Sequence, residues 1–188
     1  MSKTMNNGQV TTLAQKTGNP KTESNEKKHT ISVLVENNFN ALSRVVGLFT
    51  GRGFDIDSIS VGTGHTPDVA RITVTTHGDE HIIEQITKQL NKIIDVLKVT
   101  DLTYEPFIER ELALIKVYAP QSVRSEIMQI VNVFKAKIVD ISPEKLTVEM
   151  TGSSDKVDAS IGMLKQFGIV EVARTGCVAL KREFQGET

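Results

Sequence analysis

The feature that most restricts how this chain can fold is one spacing that occurs twice. Leu42, Val45, Val46 and Phe49 fall at i, i+3, i+4 and i+7, and Ile127, Ile130, Val131 and Phe134 repeat the pattern further on. Each stripe is the apolar face of an amphipathic helix. Each also has the same neighbours. Ahead of the first stands "TISVLV", with Ile31, Val33 and Val35 on one face, and ahead of the second "LALIKVYA". Two more strand-like runs follow in each half: "FDIDSISV" and "VARITVT" across "GTGHTPD", then "AKIVDIS" and "KLTVEMT" across "SPEK". Gly51 and Gly53 are placed to end the first helix, and Ser122 to cap its counterpart. A further helix bears Ile82, Ile83, Ile86, Leu90 and Ile93 behind a cap at Asp79. Its counterpart bears Val157, Ile161, Leu164 and Phe167, opened by Ser154 or Asp155 and closed by Gly168. "DVLKVTDL" and "VEVARTGCVAL" supply the closing strands.

The order strand, helix, strand, strand, helix, strand therefore appears twice. It predicts an α+β chain of two ferredoxin-like βαββαβ units, each an antiparallel sheet with both helices on one face. The expected boundaries are 29–105 and 112–183, with a charged linker at 106–111 in "EPFIERE" and a short tail at 184–188. Residues 1–28 are rich in Thr, Asn, Lys and Gly and lack apolar periodicity, so they read as a disordered tail. That stretch has no Arg and no amphipathic face, which argues against an organelle-targeting segment. With helices on one face only, the other face or a sheet edge is left to pair with a second copy, and at least a dimer is expected.

Composition narrows the partners. Of 188 residues, 39% are hydrophobic and 24% charged, as in a globular domain with a real core. A net charge of −1 and a pI near 6.4 provide no general attraction for nucleic acid or an anionic membrane surface. No apolar run approaches the roughly 18 to 20 residues of a spanning helix. A lone Cys177 permits no internal disulfide and fits a reducing, cytoplasmic setting.

No catalytic or metal-binding set emerges. His77 and His81 in "HGDEH" are four apart, but His77 precedes the cap at Asp79 and no third ligand stands near. His65 reads as an exposed turn residue and Cys177 as a small buried apolar one. "GRG" follows a helix and "GTG" joins two strands, whereas a dinucleotide loop runs from strand into helix. What remains is the polar stretch Glu36 to Asn40 at the start of the first helix. Asn38 or Asn40 is its natural cap, and the amides of Ala41, Leu42 and Ser43 lie at the positive end of the helix dipole. A carboxylate could be received there, or an Asn could simply satisfy those amides. The dipole contributes only about 0.3 to 2 kcal/mol, against about 8 kcal/mol for a micromolar ligand, so further contacts are needed.

"VLVENNFNALSRVVGLFTGRGFDIDSISV" resembles the start of the acetolactate synthase (acetohydroxyacid synthase) small regulatory subunit, an ACT-domain family. "GDE…EQITKQLNKIIDVLKV", "ERELALIKV" and "VEVARTG" extend the resemblance over about residues 29–182. It implies a non-catalytic subunit with no cofactor of its own. The partner would be a large catalytic subunit carrying thiamine diphosphate, Mg²⁺ and FAD, in valine, leucine and isoleucine synthesis. The small subunit of this family raises activity and confers feedback inhibition, usually by valine. Its effector lies at a dimer interface of the ACT unit. By position, Glu36, Asn37, Asn40, Ala41, Leu42 and Ser43 would line one side, and Asp55 and Ile56 of a neighbour the other.

Two positions depart from the family pattern. Asn40 stands where the family has Gly, adding bulk and a competing oxygen, and Asp55 stands where it has Asn. At roughly 6 Å and a dielectric near 20 the added charge is worth about 3 kcal/mol, favourable toward an ammonium and adverse toward a carboxylate. The alternative readings are a free-standing ACT-type amino-acid sensor, and an independent metal-dependent enzyme using His77 and His81.

Overall fold

The structure, a computed structural model of the chain, describes residues 27–183. The tail expected at residues 1–28 lies outside these residues up to Glu26, as does the one at 184–188; Lys27 and Lys28 already belong to a strand. The first unit contains β1 (Lys27–Glu36), α1 (Phe39–Arg52), β2 (Ser58–Thr63), β3 (Val69–Gly78), α2 (Glu80–Leu90) and β4 (Val96–Asp101). The second contains β5 (Phe107–Tyr118), α3 (Arg124–Val133), β6 (Lys137–Ile141), β7 (Lys145–Gly152), α4 (Ser154–Leu164), β8 (Ile169–Arg174) and β9 (Val178–Lys181). The two sheets have the equivalent orders β2-β3-β1-β4 and β6-β7-β5-β8, antiparallel throughout. This is the expected ferredoxin-like arrangement, made twice.

Alternation along the central strands builds the cores. Ile31, Val33 and Val35 of β1 face Ile72 and Val74 of β3, and α1 and α2 close over them with Val45, Phe49, Ile83, Ile86 and Leu90. The second core repeats this with Ala113, Ile115 and Val117 under Ile127, Val131, Val157 and Leu164. The buried stripe of α1 is rotated by one residue from the expected one: Ala41, Val45 and Phe49 are buried, whereas Leu42 is exposed. Ala41 is small enough to approach the sheet closely, which turns the longer Leu42 outward.

Several local expectations need correction. Asp79 caps α2 and Gly53 ends α1 in the left-handed conformation (φ 67°), as the sequence indicates. Ser122, however, does not cap α3, whose start lacks a side-chain cap. Arg124 holds it instead, donating to the carbonyls of Ala119, Ser142 and Pro143. Ser153, rather than Ser154 or Asp155, caps α4, accepting from Lys156 N. The segment 106–111, expected as a linker, is strand from Phe107 onward. The closing strand "VEVARTGCVAL" is broken in two at Gly176 (φ 76°), and β9 pairs with the first residues of β5.

That break joins the units. The β5–β9 ribbon packs over the first sheet's other face, where Thr30, Ser32, Thr73 and Thr75 are buried, and Leu102, Cys177 and Ala179 form a small shared core with Phe107. The expected free face is thus partly covered from within the chain, while β2 remains an edge. Ser60 Oγ donates to the Thr175 carbonyl (2.9 Å) and Cys177 N to Ser58 Oγ (3.3 Å). Among the described residues no helix is long and apolar enough to cross a membrane.

A Cβ on Gly176 would stand 3.0 Å from Ser60 Oγ and 3.3 Å from Ser58 Cβ, in a backbone conformation that only glycine adopts freely. Gly176→Ala is expected to lower stability by about 1–3 kcal/mol. Gly162→Ala, inside α4 with nothing within 4 Å, should raise it by about 0.5–1 kcal/mol. Urea midpoints at unchanged slope test both.

Candidate functional site

A pocket of about 320 Å³ opens where the β1–α1 connection meets β2 and β3. Its floor is apolar, made by Val35, Ala70 and Ile72; Leu42 and half-exposed Val61 rise at its rim, and Glu36 and Ser43 bring polar groups to its wall. Of the eight residues singled out from the sequence, Glu36, Asn37, Ala41, Leu42 and Ser43 line this pocket. Asn40 sits in the first turn of α1, exposed, and is not part of its lining. Asp55 and Ile56 follow the far end of α1, a helix of 14 residues, so about 20 Å separates them from the corner within one chain. Asp55 is exposed, its carbonyl accepting from Thr76 Oγ1, and Ile56 packs against the first core.

The connection is held rigidly. Asn37 N donates to the Asp68 carbonyl and Asn37 Nδ2 to the Pro67 carbonyl (2.8 and 2.7 Å), which ties it to the β2–β3 turn. Asn38, not Asn40, is the cap of α1: its Oδ1 accepts from Asn40 N (3.1 Å) and Ala41 N (2.9 Å). Asp95, just ahead of β4, organises the remainder. Its carbonyl accepts from Glu36 N (2.8 Å), and its carboxylate accepts from Asn38 Nδ2 (2.9 Å) and Arg44 Nη1 (2.8 Å). No motif in the sequence marks Asp95, because its side-chain partners lie 57 and 51 residues away.

The remaining candidates are accounted for elsewhere. His77 Nδ1 lies 2.8 Å from Asp57 Oδ2 and His81 is bonded to Gln85, on different elements. Among the described residues no three His, Cys, Asp or Glu side chains are grouped to hold a metal. His65 is exposed in the β2–β3 turn. A larger cleft between the units, about 490 Å³, is crossed by Arg174, bidentate to buried Glu111 (2.6 and 2.8 Å) and bonded to Asp158 (2.7 Å). Those pairs satisfy one another and read as a clamp between β5, α4 and β8.

Cys177 is buried with its thiol 3.5 Å from Glu109 Oε2. Burial, followed by the Glu109 charge, pushes it up to about 12 from an ordinary 9.0. The unfolded thiol therefore ionises first, so this contribution to stability is complete below pH 9.0 and is lost as pH rises toward about 12. At about pH 8 the folded protein should resist iodoacetamide at Cys177 while the denatured chain is alkylated, as mass spectrometry would show.

Comparison with known proteins agrees with this architecture. The model of the AHAS small subunit-like ACT domain matches residues 31–98, and that of the small subunit of acetolactate synthase matches residues 110–183. The chain is 49% identical over 158 residues to an acetolactate synthase small subunit of Aquifex aeolicus, covering 84% of this chain and 82% of that one. It is 48% identical over 159 residues to one of Bacillus subtilis, covering 84% and 92%. The crystal structure of the acetolactate synthase small subunit from Thermotoga maritima superposes with a TM-score of 0.77 at 42% identity, covering 85% of this chain and 99% of that one.

Proposed function

Because the chain belongs to the acetolactate synthase small-subunit family, we propose that it regulates a cytoplasmic acetolactate synthase by binding a branched-chain amino acid, valine first, at the β1–α1 corner. The observation that carries this reading is the pairing at that corner of an aliphatic floor, Val35, Ala70 and Ile72, with a helix N-terminus. A small aliphatic side chain suits the floor, and a carboxylate suits the positive end of the helix dipole.

On this reading the pocket of one chain is only half of the site. Phe39 is 93% exposed and Val61 is 49% exposed, beside the unpaired edge of β2. A second copy docked on that edge would cover both and could bring its own Asp55 and Ile56 to the corner. Such a homodimer would then bind the large catalytic subunit and raise its turnover. Thiamine diphosphate, Mg²⁺ and FAD belong on that partner. Inhibition follows if the amino acid binds one state of the complex better than the other.

Acetolactate formation by the cognate large subunit, with and without this chain and across an L-valine titration, tests the proposal. The expected result is a higher turnover number with the chain present and its suppression by valine. Ser43→Phe, which places a ring in the pocket wall, should retain activation and lose inhibition. An unchanged turnover number would overturn the subunit role and, if valine still binds, leave a free-standing sensor.

A further inference from the structure

Two of the first-turn donors that an effector carboxylate would use are already occupied by the chain itself. The amides of Asn40 and Ala41 in the first turn of α1, of which Ala41 lines the pocket, both donate to Asn38 Oδ1. The other end of that carboxamide, Nδ2, donates to Asp95 Oδ1. This second bond fixes the orientation. A carboxylate paired with Arg44 only accepts, so the nitrogen of Asn38 must face Asp95 and its oxygen must face the helix. Asp95 cannot readily yield, being 8% exposed and held at its carbonyl by Glu36 N as well as at its carboxylate by Arg44.

We propose that Asn38 is an internal stand-in for the effector carboxylate and that Asp95 is the positioning residue that holds it in place. An amino acid binds by displacing the Asn38 oxygen from the two amides. The proposal rests on the reading of this corner as an amino-acid site. Exchange favours the ligand, because a carboxylate forms hydrogen bonds roughly twice as strong as those of a neutral carboxamide. The gain is nevertheless only the difference between the two acceptors. Affinity is therefore set by how firmly Asp95 orients Asn38, and a free corner stays capped and folded instead of presenting bare amides.

The test is calorimetric titration of L-valine, L-leucine and L-isoleucine into the full-length wild-type chain and into four variants, with Tm measured in parallel. Asn38→Ala removes the competitor, so valine should bind about ten-fold tighter, while Tm falls with the lost cap. Asn38→Asp keeps a capping oxygen but sets a second carboxylate against Asp95 and a negative charge toward the ligand carboxylate; Tm should fall and binding should be lost. Asp95→Asn can donate as well as accept, which releases the orientation of Asn38 and should also tighten binding. In the double variant Asn38→Ala/Asp95→Asn, the second change should add nothing to affinity. A merely structural role would lower Tm and affinity together, and would not give opposite signs for the two Asn38 variants.

Equal or weaker binding by Asn38→Ala, or additive effects in the double variant, would overturn the proposal while leaving the amino-acid site standing. Failure of all three amino acids to bind both the wild type and Asn38→Ala would overturn the site itself, and the proposal with it. Binding by Asn38→Ala alone would support both.

Discussion

Asp95 ties three successive pieces of the β1–α1 segment to the start of β4. It fixes the end of β1 through Glu36 N, the cap of α1 through Asn38 and the body of α1 through Arg44. The Arg44 guanidinium is half exposed, so the ion pair by itself adds little stability. Its weight is geometric. A largely buried carboxylate with both oxygens engaged holds the β1–α1 connection in one arrangement, and that arrangement defines both the pocket and the state of the first-turn amides. Were the connection free to move, the aliphatic floor would still exist, but no fixed donors would stand beside it.

A second constraint comes from the C-terminal unit, which does more than repeat the first. Its ribbon of β5 and β9 covers threonines and serines on the open face of the first sheet, and the Thr175–Gly176 turn is hydrogen-bonded to β2. The same strand carries Val61 at the rim of the pocket. β2 therefore touches the candidate effector site through Val61 and the second unit through Ser58 and Ser60. In the second unit, the corner equivalent to the β1–α1 connection is closed by Arg124, which donates to three carbonyls. One architecture thus has two differently finished corners, one with carbonyls drawn together by a guanidinium and one with amides beside an aliphatic floor.

The repeated fold was legible because its signals are local. Alternation in β1 and the 3.6-residue periodicity of the helices depend on side chains within a few positions of one another. Errors arose where a weak local signal was outweighed by packing. Leu42 looks like the start of the core stripe, yet the smaller Ala41 takes that place. "EPFIERE" looks like a solvated linker because of its charges, yet Glu111 is buried against Arg174, 63 residues away, and Phe107 joins a core with Cys177. A single glycine divides the last strand, and its conformation follows from a contact with another unit. Part of the candidate site, Glu36 to Ser43, was visible as a polar break before a helix. Asp95 was not, since nothing in "NKIIDVLKV" announces which distant side chains its carboxylate will meet.

In the proposed function the β1–α1 corner receives an amino acid while a second copy approaches along β2. Hydrogen–deuterium exchange of the full chain, with and without saturating L-valine, tests it most directly. Exchange is expected to slow in residues 36–43 and 55–61, with residues 124–133 of α3 unchanged. Unaltered exchange at 36–43, or protection confined to the second unit, would contradict it.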